Sequence, residues 1–298
     1  MDFQTLKLSD KQKITEIFKK TNYRTSDLSF ANLFAWIGKF NSQISIIENN
    51  FFLRSCCSEQ DSCYMFPIVE MPLIQAIELI KTDALERNLN FKIIGATREM
   101  FENINKICPE EYTFLPDRNA YDYIFLSQNL INLSGKKLQS KRNHINKFLK
   151  ENQNWQYIRI ESQKTLNDCK KMLEEWEYVE NKRLDVSQQQ EYHAVITMLN
   201  NFKELELKIG AIYLKEKVIA FSIGEALTED TFVVHCEKAF SNINGAYTII
   251  NQQFIVNEAK NFKYVNREED LGIENLRKSK MSYYPEILLE KGKIVLKK

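Results

Sequence analysis

The chain has 298 residues, 44% of them hydrophobic, which is enough for two ordinary domains or one large one. Its 41 basic and 40 acidic residues leave a net charge of +1, so any binding to nucleic acid or an anionic membrane needs a local patch. The charged amino terminus is atypical of a signal peptide, and no apolar run approaches the roughly 18 residues of a membrane span. Six scattered cysteines without a CxxC pair indicate reduced thiols, so the composition predicts a soluble cytoplasmic protein.

The first half of the chain alternates predicted helices and strands. Two helices are predicted between residues 10 and 40, and Ser26 or Asp27 is the expected cap of the second. The elements predicted next are strands over 44–55 and 62–69, a helix after Pro72, a strand over 91–96, a helix from Thr97 to about Ile107 and a strand over 121–126.

The second half repeats this rhythm, which predicts a tandem duplication of one α/β fold. A basic helix is predicted from Gly135 to Glu151, with an inner face formed by Leu138, Ile145, Phe148 and Leu149. The next predicted elements are a strand over 155–160, helices over 165–181 and 188–202, and an antiparallel meander of strands over 205–215, 217–227 and 231–239. A helix over about 247–260 and a strand over 262–266 follow. The last predicted helix is capped by Asp270, and Ile273 and Leu276 lie on its inner face.

The predicted strand 231–239 carries a histidine and a carboxylate on one face. Residues two apart share a face of a strand, so His235 and Glu237 point one way, and Cys236 and Lys238 point the other. His235 and Glu237 suit a general base and its orienting partner. The alternative is a neutral core histidine, with Glu237 and Lys238 at the solvent-facing end of the strand.

The segment that follows is predicted to be a strand-to-helix turn containing Gly245. The amides at the start of a helix bind phosphate groups without needing a charged side chain, so this turn is a candidate phosphate site. A single glycine is equally consistent with an ordinary turn.

Residues 263–286 form the most polar stretch, at the end of one predicted strand and the start of the last predicted helix. In the strand, Tyr264, Asn266 and Glu268 alternate with Arg267. Catalytic and binding residues of α/β folds commonly lie where strands lead into helices, so this stretch is a candidate functional site.

On the last predicted helix, Arg277, Lys280 and Tyr284 are spaced to form one stripe. The two cations suit a phosphate or carboxylate, and Tyr283 or Tyr284 suits protonation of a leaving group. The alternative is an ion-pair network that only anchors the helix, formed by Arg267, Glu268, Glu269 and Arg277.

The run 135–150 contains six Lys or Arg residues and no acidic residue. It is either a contact surface for RNA phosphates or a solvated helix face. Phosphate-binding, dinucleotide-binding, serine-hydrolase and zinc-protease signatures are missing, and the zinc deaminase pattern is incomplete after His235 and Glu237. The sequence therefore predicts no metal site.

Five segments together resemble a known family: residues 23–36, 134–148, 235–240, 244–247 and 265–285. They are similar to an uncharacterised bacterial family (DUF2156-type) related to the carboxyl-terminal catalytic domain of phosphatidylglycerol lysyltransferases. The resemblance implies two tandem GNAT-like (acyl-CoA N-acyltransferase) domains with mixed, mostly antiparallel sheets, over residues 1–130 and 131–298. It also implies a likeness to the Fem transferases, which move an aminoacyl group from charged tRNA to an amine or hydroxyl.

The resemblance places the donor site in the second half. The turn from Asn242 to Tyr247 corresponds to the place where acetyltransferases hold the pyrophosphate of coenzyme A, but only Gly245 of that motif remains. This disfavours ordinary acetyl-CoA as donor and is compatible with aminoacyl-tRNA. The lipid lysyltransferases carry a multi-span domain ahead of the catalytic part and this sequence shows none. We therefore expect a soluble small-molecule acceptor, or a lipid-head-group acceptor together with a membrane partner in a separate chain.

In the expected reaction, an acceptor amine or hydroxyl attacks the carbonyl of the donor after Glu237 or His235 has removed its proton. Tyr283 or Tyr284 protonates the leaving group. Backbone amides near 236–240 stabilise the oxyanion. No permanently bound cofactor is expected. The expected donor- and substrate-binding residues are Lys238, Asn242, Gly245, Asn266, Arg267, Glu268, Asp270, Arg277 and Lys280. The alternatives are an acyl-CoA-dependent N-acyltransferase of a small metabolite and a non-catalytic ligand-binding protein.

Overall fold

The computed structural model describes residues 1–56, 62–180 and 186–297. Contacts divide the chain into two compact units that interleave along the sequence. Unit 1 comprises Met1–Asp122, Glu269–Glu274 and Leu288–Lys298, and unit 2 comprises Tyr123–Glu268 and Asn275–Ile287. Two late segments thus belong with the first unit, whereas the sequence predicts one domain boundary near residue 130. The division into two domains near residue 130 stays a prediction.

The elements up to residue 126 largely follow the predicted order. The helices are α1 (Lys11–Phe18), α2 (Phe30–Ala35), α3 (Ile37–Phe40), α4 (Leu73–Glu86) and α5 (Arg98–Ile107). The strands are β1 (Gln4–Thr5), β2 (Gln43–Ile47), β3 (Asn50–Cys56), β4 (Ser62–Met65), β5 (Lys92–Thr97), β6 (Tyr112–Pro116) and β7 (Asp122–Leu126). The predicted polar connection between β3 and β4 falls largely on residues 57–61, outside the described residues.

The remaining elements include the predicted meander. The helices are α6 (Ser127–Asn132), α7 (Gln139–Glu151), α8 (Gln163–Glu180), α9 (Val186–Asn200), α10 (Ala246–Phe254), which continues as a π-helical segment (Ile255–Ala259), and α11 (Glu274–Met281). The strands are β8 (Trp155–Arg159), β9 (Lys208–Leu214), β10 (Lys217–Ala226), β11 (Thr231–Ala239), β12 (Tyr264–Asn266), β13 (Ile287–Leu289) and β14 (Lys291–Leu296).

The strands form two seven-stranded mixed sheets. The first has the order β1-β2-β3-β4-β5-β14-β6, and the second has the order β13-β7-β12-β11-β10-β9-β8. The β4–β5 pair and the β11–β12 pair are parallel, whereas every other pair with a described register is antiparallel. The predicted α/β class with mixed, mostly antiparallel sheets is confirmed.

The last strand occupies an interior position in the first sheet. β14 lies between β5 and β6 and is antiparallel to both. β13 and β14 were not predicted, because both strands are short and follow the polar stretch without a helical or alternating pattern. β6 was not predicted either, and it carries two exposed residues at its end.

The two predicted helix caps were wrong. The side chain of Ser29, rather than Ser26 or Asp27, caps α2 by accepting from the Asn32 amide at 3.0 Å, because a short 3-10 turn over Ser26–Leu28 precedes the helix. Asp270 does not cap α11, which begins at Glu274; the Asp270 carboxylate accepts from the Gly272 amide at 2.8 Å.

Two residues assigned to inner faces are exposed. Ile273 is 54% exposed because it precedes the first residue of α11, and Leu149 is 38% exposed on α7. The other residues assigned to the inner face of α7 (Leu138, Ile145 and Phe148) are buried.

The core of unit 1 contains a buried lysine among carboxylates. Lys291, at the start of β14, is 2% exposed, and its Nζ lies 2.8 Å from Asp27 Oδ2, 2.8 Å from Asp122 Oδ1 and 3.7 Å from Glu269 Oε2. These carboxylates raise the pKa of Lys291 despite the opposing effect of burial, so the amine stays charged. The cluster therefore attaches β14 to three earlier segments of the chain.

Replacement of Lys291 by Met leaves these carboxylates without their shared cation. We expect Lys291→Met to lower the free energy of unfolding by about 3–5 kcal/mol, measured by urea denaturation at pH 7. The matched control is Lys293→Met, an exposed residue of the same strand, with an expected change below about 0.5 kcal/mol. Equal stability of the two variants would show that the buried cluster contributes nothing specific.

Candidate active site

The candidate site of unit 2 lies where two parallel strands separate. β11 pairs with β12 at Thr231–Tyr264, Phe232–Val265 and Val233–Asn266, after which β12 ends. β11 continues to Ala239 and remains paired with β10 on its other side. The polar residues of β11 beyond Val233 are therefore next to the chain that leaves β12 at Arg267.

His235 lies between two carboxylates in this region. Its side chain is fully buried, with Nδ1 2.7 Å from Glu268 Oε1 and Nε2 3.1 Å from Glu225 Oε1. Burial lowers the pKa of His235, but the hydrogen bonds with Glu225 and Glu268 outweigh it and raise the pKa to about 9. Both ring nitrogens are engaged and the ring is charged at neutral pH, which favours a structural cation over the predicted general base.

Glu237 is held by two side chains. Its Oε1 accepts from Asn251 Nδ2 at 2.8 Å, and its Oε2 pairs with Nη2 of Arg267. The Glu237 and Arg267 side chains are 12% and 10% exposed, so this is a largely buried ion pair. Asn251 reaches Glu237 from α10, the helix that connects β11 with β12.

Arg267 is surrounded by rings and by a second cation. Its guanidinium lies 5.0 Å from the ring centre of Tyr283 and 5.7 Å from that of Phe125. Lys141 Nζ lies 4.1 Å from the Tyr283 ring centre and has no carboxylate partner among the described residues. Burial and repulsion by Arg267 lower the pKa of Lys141 to about 8.

Lys280 supports the segment that carries Arg267. Its buried Nζ donates to the backbone carbonyls of Arg267 at 2.6 Å and Glu268 at 3.2 Å. Asn266 acts in the same segment, because its Oδ1 accepts from the Glu268 amide at 2.7 Å. Both residues therefore fix the backbone after β12, where Glu268 has a positive φ of 57°.

The other face of β11 has a separate polar contact, in agreement with the predicted alternation. Lys238 Nζ lies 2.7 Å from Glu191 Oε1 and 4.1 Å from the ring centre of Trp176. The Trp176 Nε1 donates to the Ala239 carbonyl at 2.9 Å. Lys238 is thus 7% exposed and is away from Glu237.

The turn before α10 depends on its glycine. Gly245 has φ +81°, and a Cβ there would lie 2.5 Å from the His144 carbonyl oxygen and 2.9 Å from Phe148 Cβ. Close packing of α7 therefore requires glycine, whether or not a phosphate binds. Asn242 is exposed in this turn, and Tyr247 is 42% exposed.

The two tyrosines have different environments. Tyr283 is 4% exposed, and burial raises the pKa of its hydroxyl, which is hydrogen-bonded with Thr248. Tyr284 is 49% exposed beside Lys137, 5.2 Å from its ring centre. Because α11 ends at Met281 and Tyr284 has φ +54°, the predicted stripe of Arg277, Lys280 and Tyr284 does not form.

The predicted ion-pair network is rearranged as well. Arg267 pairs with Glu237, and Glu268 pairs with His235. Asp270 belongs to unit 1, where it lies 3.2 Å from Arg118. Arg277 is half-buried on α11.

Three residues of this site were not predicted from the sequence. Asn251 and Glu225 lie on elements that were predicted correctly, but nothing in a local pattern marks them as partners of Glu237 and His235. Lys141 belongs to the basic run of α7, and its lack of neighbouring acids was the only available signal.

Comparison with known proteins identifies the family. The sequence matches the family described as "Phosphatidylglycerol lysyltransferase, C-terminal" over residues 18–291. The chain belongs to this family. An uncharacterised protein of Mycoplasmoides gallisepticum is 26% identical over 179 residues, which are 58% of this chain and 55% of that protein. The chain thus spans about half the length of that relative.

Solved structures show the same fold. A conserved protein of unknown function from Bacteroides thetaiotaomicron is 36% identical, with a TM-score of 0.94 over 100% of both chains. The carboxyl-terminal domain of a putative lysylphosphatidylglycerol synthetase from Agrobacterium fabrum is 10% identical, with a TM-score of 0.67 over 96% of this chain and 91% of that one.

A third solved structure, FemX, is 7% identical, with a TM-score of 0.60 over 99% of this chain and 96% of that one. At such low identities, the Agrobacterium domain and FemX show the fold alone. The predicted tandem GNAT-like fold and the family resemblance are confirmed. Within the described ranges, no helix has the length and apolarity needed to cross a membrane.

The charge of His235 makes its stabilising effect dependent on pH. Its pKa is raised from an ordinary 6.5 to about 9, so its contribution to stability is complete below pH 6.5 and is lost as the pH rises through 9. We expect the difference in unfolding free energy between the wild type and His235→Gln to shrink by roughly 3 kcal/mol over this interval.

The measurement is urea denaturation of both proteins at several pH values from 6 to 9.5. His193→Gln, at an exposed position, is the control and should show no such trend. A difference that stays constant with pH would mean that His235 is neutral in the folded protein.

Proposed function

We propose that the chain is an aminoacyltransferase that moves an aminoacyl group from aminoacyl-tRNA to an amine or hydroxyl acceptor. Membership of a family described by lysyl transfer and a fold shared with FemX support transfer of an aminoacyl group. The single observation that carries the proposal for this site is the position of Glu237, a largely buried carboxylate where β11 and β12 separate.

In the proposed reaction, Glu237 takes a proton from the acceptor, and the acceptor nitrogen or oxygen attacks the ester carbonyl carbon of the donor. A new C–N or C–O bond forms, and the bond to the 3′-oxygen of the tRNA breaks. The 3′-oxygen leaves with a proton, so the acceptor proton is transferred overall and no oxidant or reductant is needed.

The cations have distinct proposed tasks. Arg267 pairs with Glu237, and its guanidinium suits the carbonyl oxygen as negative charge develops there. Lys280 acts through the backbone that it holds, so it is a positioning residue. Lys238, Asn242, Gly245 and Arg277 are proposed donor-binding residues of unit 2, and Asp270 is a proposed substrate-binding residue of unit 1.

The remaining predicted residues have supporting roles in this proposal. His235 forms a charged hydrogen bond with the Glu268 carboxylate, and the Asn266 side chain accepts from the Glu268 backbone amide. Both residues therefore stabilise the backbone conformation after β12. Tyr283 is near Arg267 and suits proton delivery to the leaving oxygen, whereas the exposed Tyr284 suits contact with the donor.

A conservative change at Glu237 tests its role. Glu237→Gln keeps the shape and removes the proton acceptor, so we expect transfer from mixed aminoacyl-tRNA to fall by about 100-fold or more. Transfer is measured as labelled amino acid in an acid-soluble product, with the melting temperature as a check of folding. Glu229→Gln, at an exposed position, is the control. Unchanged transfer by folded Glu237→Gln would remove Glu237 from the reaction.

The donor is tested by direct binding. We expect mixed aminoacyl-tRNA to bind in a filter assay with an affinity that falls as salt rises, because phosphate contacts release counterions. Uncharged tRNA, coenzyme A and acetyl-CoA are the comparison ligands. Binding of coenzyme A without tRNA would replace this proposal by acyl-CoA-dependent acylation.

A further inference from the structure

Unit 1 contains a cavity of about 380 Å³, and its described lining residues all belong to that unit. The cavity opens to solvent, because Leu271, which is 56% exposed, and the exposed Lys293 are among these residues. Its volume is within the range of small-molecule sites in proteins. No described lining residue belongs to the candidate active site of unit 2.

The cavity lies where the parallel strands β4 and β5 separate. These strands pair at Tyr64–Ile93 and Met65–Ile94, after which β4 ends. Met65, Ile94 and the next residue of β5, Gly95, line the cavity. The crevice beyond the carboxyl ends of parallel strands is a common position for ligands in α/β folds. The place of the cavity in the sheet therefore suits a binding site.

Most of the cavity wall is apolar. The apolar side chains that line it include Leu33, Trp36, Phe40, Leu53, Met65 and Ile94. The rings of Trp36 and Phe40 are neighbours, with their centres 6.2 Å apart. The hydroxyls of Ser42 and Ser55, which also line the cavity, are 3.3 Å apart and hydrogen-bond with each other. This part of the wall therefore suits an apolar group of a ligand.

Asp27 supplies an accessible acceptor in the cavity. Its side chain is 36% exposed, and its Oδ2 accepts from Lys291 Nζ and from Thr25 Oγ1, each at 2.8 Å. Its Oδ1 has no hydrogen-bond donor within the described parts of the chain. Hydrogen bonds to a carboxylate are strongest when the donor is charged, so this oxygen suits an ammonium group.

Gly95 leaves one face of this carboxylate open. Its φ of +66° is in the left-handed region that favours glycine. A Cβ at this position would lie 3.4 Å from Cγ and Oδ2 of Asp27 and 3.5 Å from its Oδ1. Any side chain on residue 95 would therefore cover the acceptor.

The charges of the wall favour a cation over an anion. The buried Lys291 already faces three carboxylates, two of which, Asp27 and Glu269, line the cavity. The other charged lining residues are one acid, Asp117, and one base, Lys293. An anion near Lys291 would be repelled by the carboxylates that surround it.

We propose that this cavity binds a small primary amine with an apolar body, such as an arylalkylamine or a branched alkylamine. The ammonium group donates to Asp27 Oδ1, and the apolar body packs against Trp36, Phe40 and Leu53. The site is formed by unit 1 and does not require the reaction proposed for Glu237.

The test is calorimetric titration of the full chain at pH 7, where alkylamines are charged. The probes are 2-phenylethylamine, tryptamine and 3-methylbutylamine, and we expect at least one to bind with a dissociation constant of about 1 mM or lower. The neutral 2-phenylethanol and the anionic 3-phenylpropanoate should bind about tenfold more weakly or worse, because they lack the charged donor. Ethylamine, which lacks the apolar body, should also bind about tenfold more weakly.

Replacement of Asp27 tests the proposed acceptor. Asp27→Asn should weaken binding of the tightest amine about tenfold or more and leave the weak binding of 2-phenylethanol unchanged. The matched control is Asp2→Asn, an exposed aspartate of the same unit, which should bind the amine like the wild type. Asp27 is also a partner of Lys291, so the melting temperature of each variant is measured as a check of folding.

Tryptophan fluorescence locates the bound amine without altering the Lys291 cluster. Trp36 lines the cavity, whereas Trp155 belongs to unit 2. We expect 2-phenylethylamine to change the emission of the wild type and of Trp155→Phe, but not that of Trp36→Phe. Trp36→Phe retains an aromatic ring, so calorimetry should show binding within about threefold of the wild type.

Four results would overturn the proposal. They are absence of binding by all three amines, equally tight binding of 2-phenylethanol or 3-phenylpropanoate, wild-type affinity of folded Asp27→Asn for the amine, and an emission change that persists in Trp36→Phe. The last result would place the amine elsewhere in the protein.

Discussion

The parallel pairing of β11 and β12 lasts for three residue pairs, and β11 then continues without β12 from Val234 to Ala239. Because β12 stops at Asn266, the chain turns away there, and its polar residues meet the polar face of β11 instead of a neighbouring strand. Lys280 and Asn266 hold this turn through backbone atoms. The contacts of Glu237 and His235 with Arg267 and Glu268 depend on this early end of the pairing.

Buried charges in this chain fall into two kinds. His235 has two carboxylate neighbours, and Lys291 has three, so both cations are neutralised within their own unit. Arg267 has one carboxylate and an additional cation nearby. Neutralised clusters stabilise connections between chain segments. The incomplete compensation at Arg267 supports the proposal that a substrate binds beside it.

The periodicity of apolar residues was sufficient to predict the helices and strands whose residues pack locally. The meander β9–β11 and the helix after Pro72 were predicted because apolar residues recur at strand or helix spacing. The alternation of β11 also placed His235 and Glu237 on one face correctly. The family resemblance supplied the tandem fold, which the residues alone only suggested.

What could not be predicted depends on distant residues. The state of His235 is set by Glu225 and Glu268, ten and thirty-three positions away, and no spacing rule pairs them. Asn251 and Lys141 reach the site from two different helices. The position of β14 between β5 and β6 likewise depends on residues separated by most of the chain.

The central position of β14 also bears on how the protein is made. A ribosome synthesises β5 and β6 long before residues 291–296, yet these two strands have no pairing with each other in the sheet order and need β14 between them. Unit 1 therefore cannot complete its sheet during synthesis of its own first 122 residues, in contrast to the usual amino-terminal-first order of domain folding. Until then, β5 and β6 each present an open edge, a state in which a newly made chain is sensitive to aggregation.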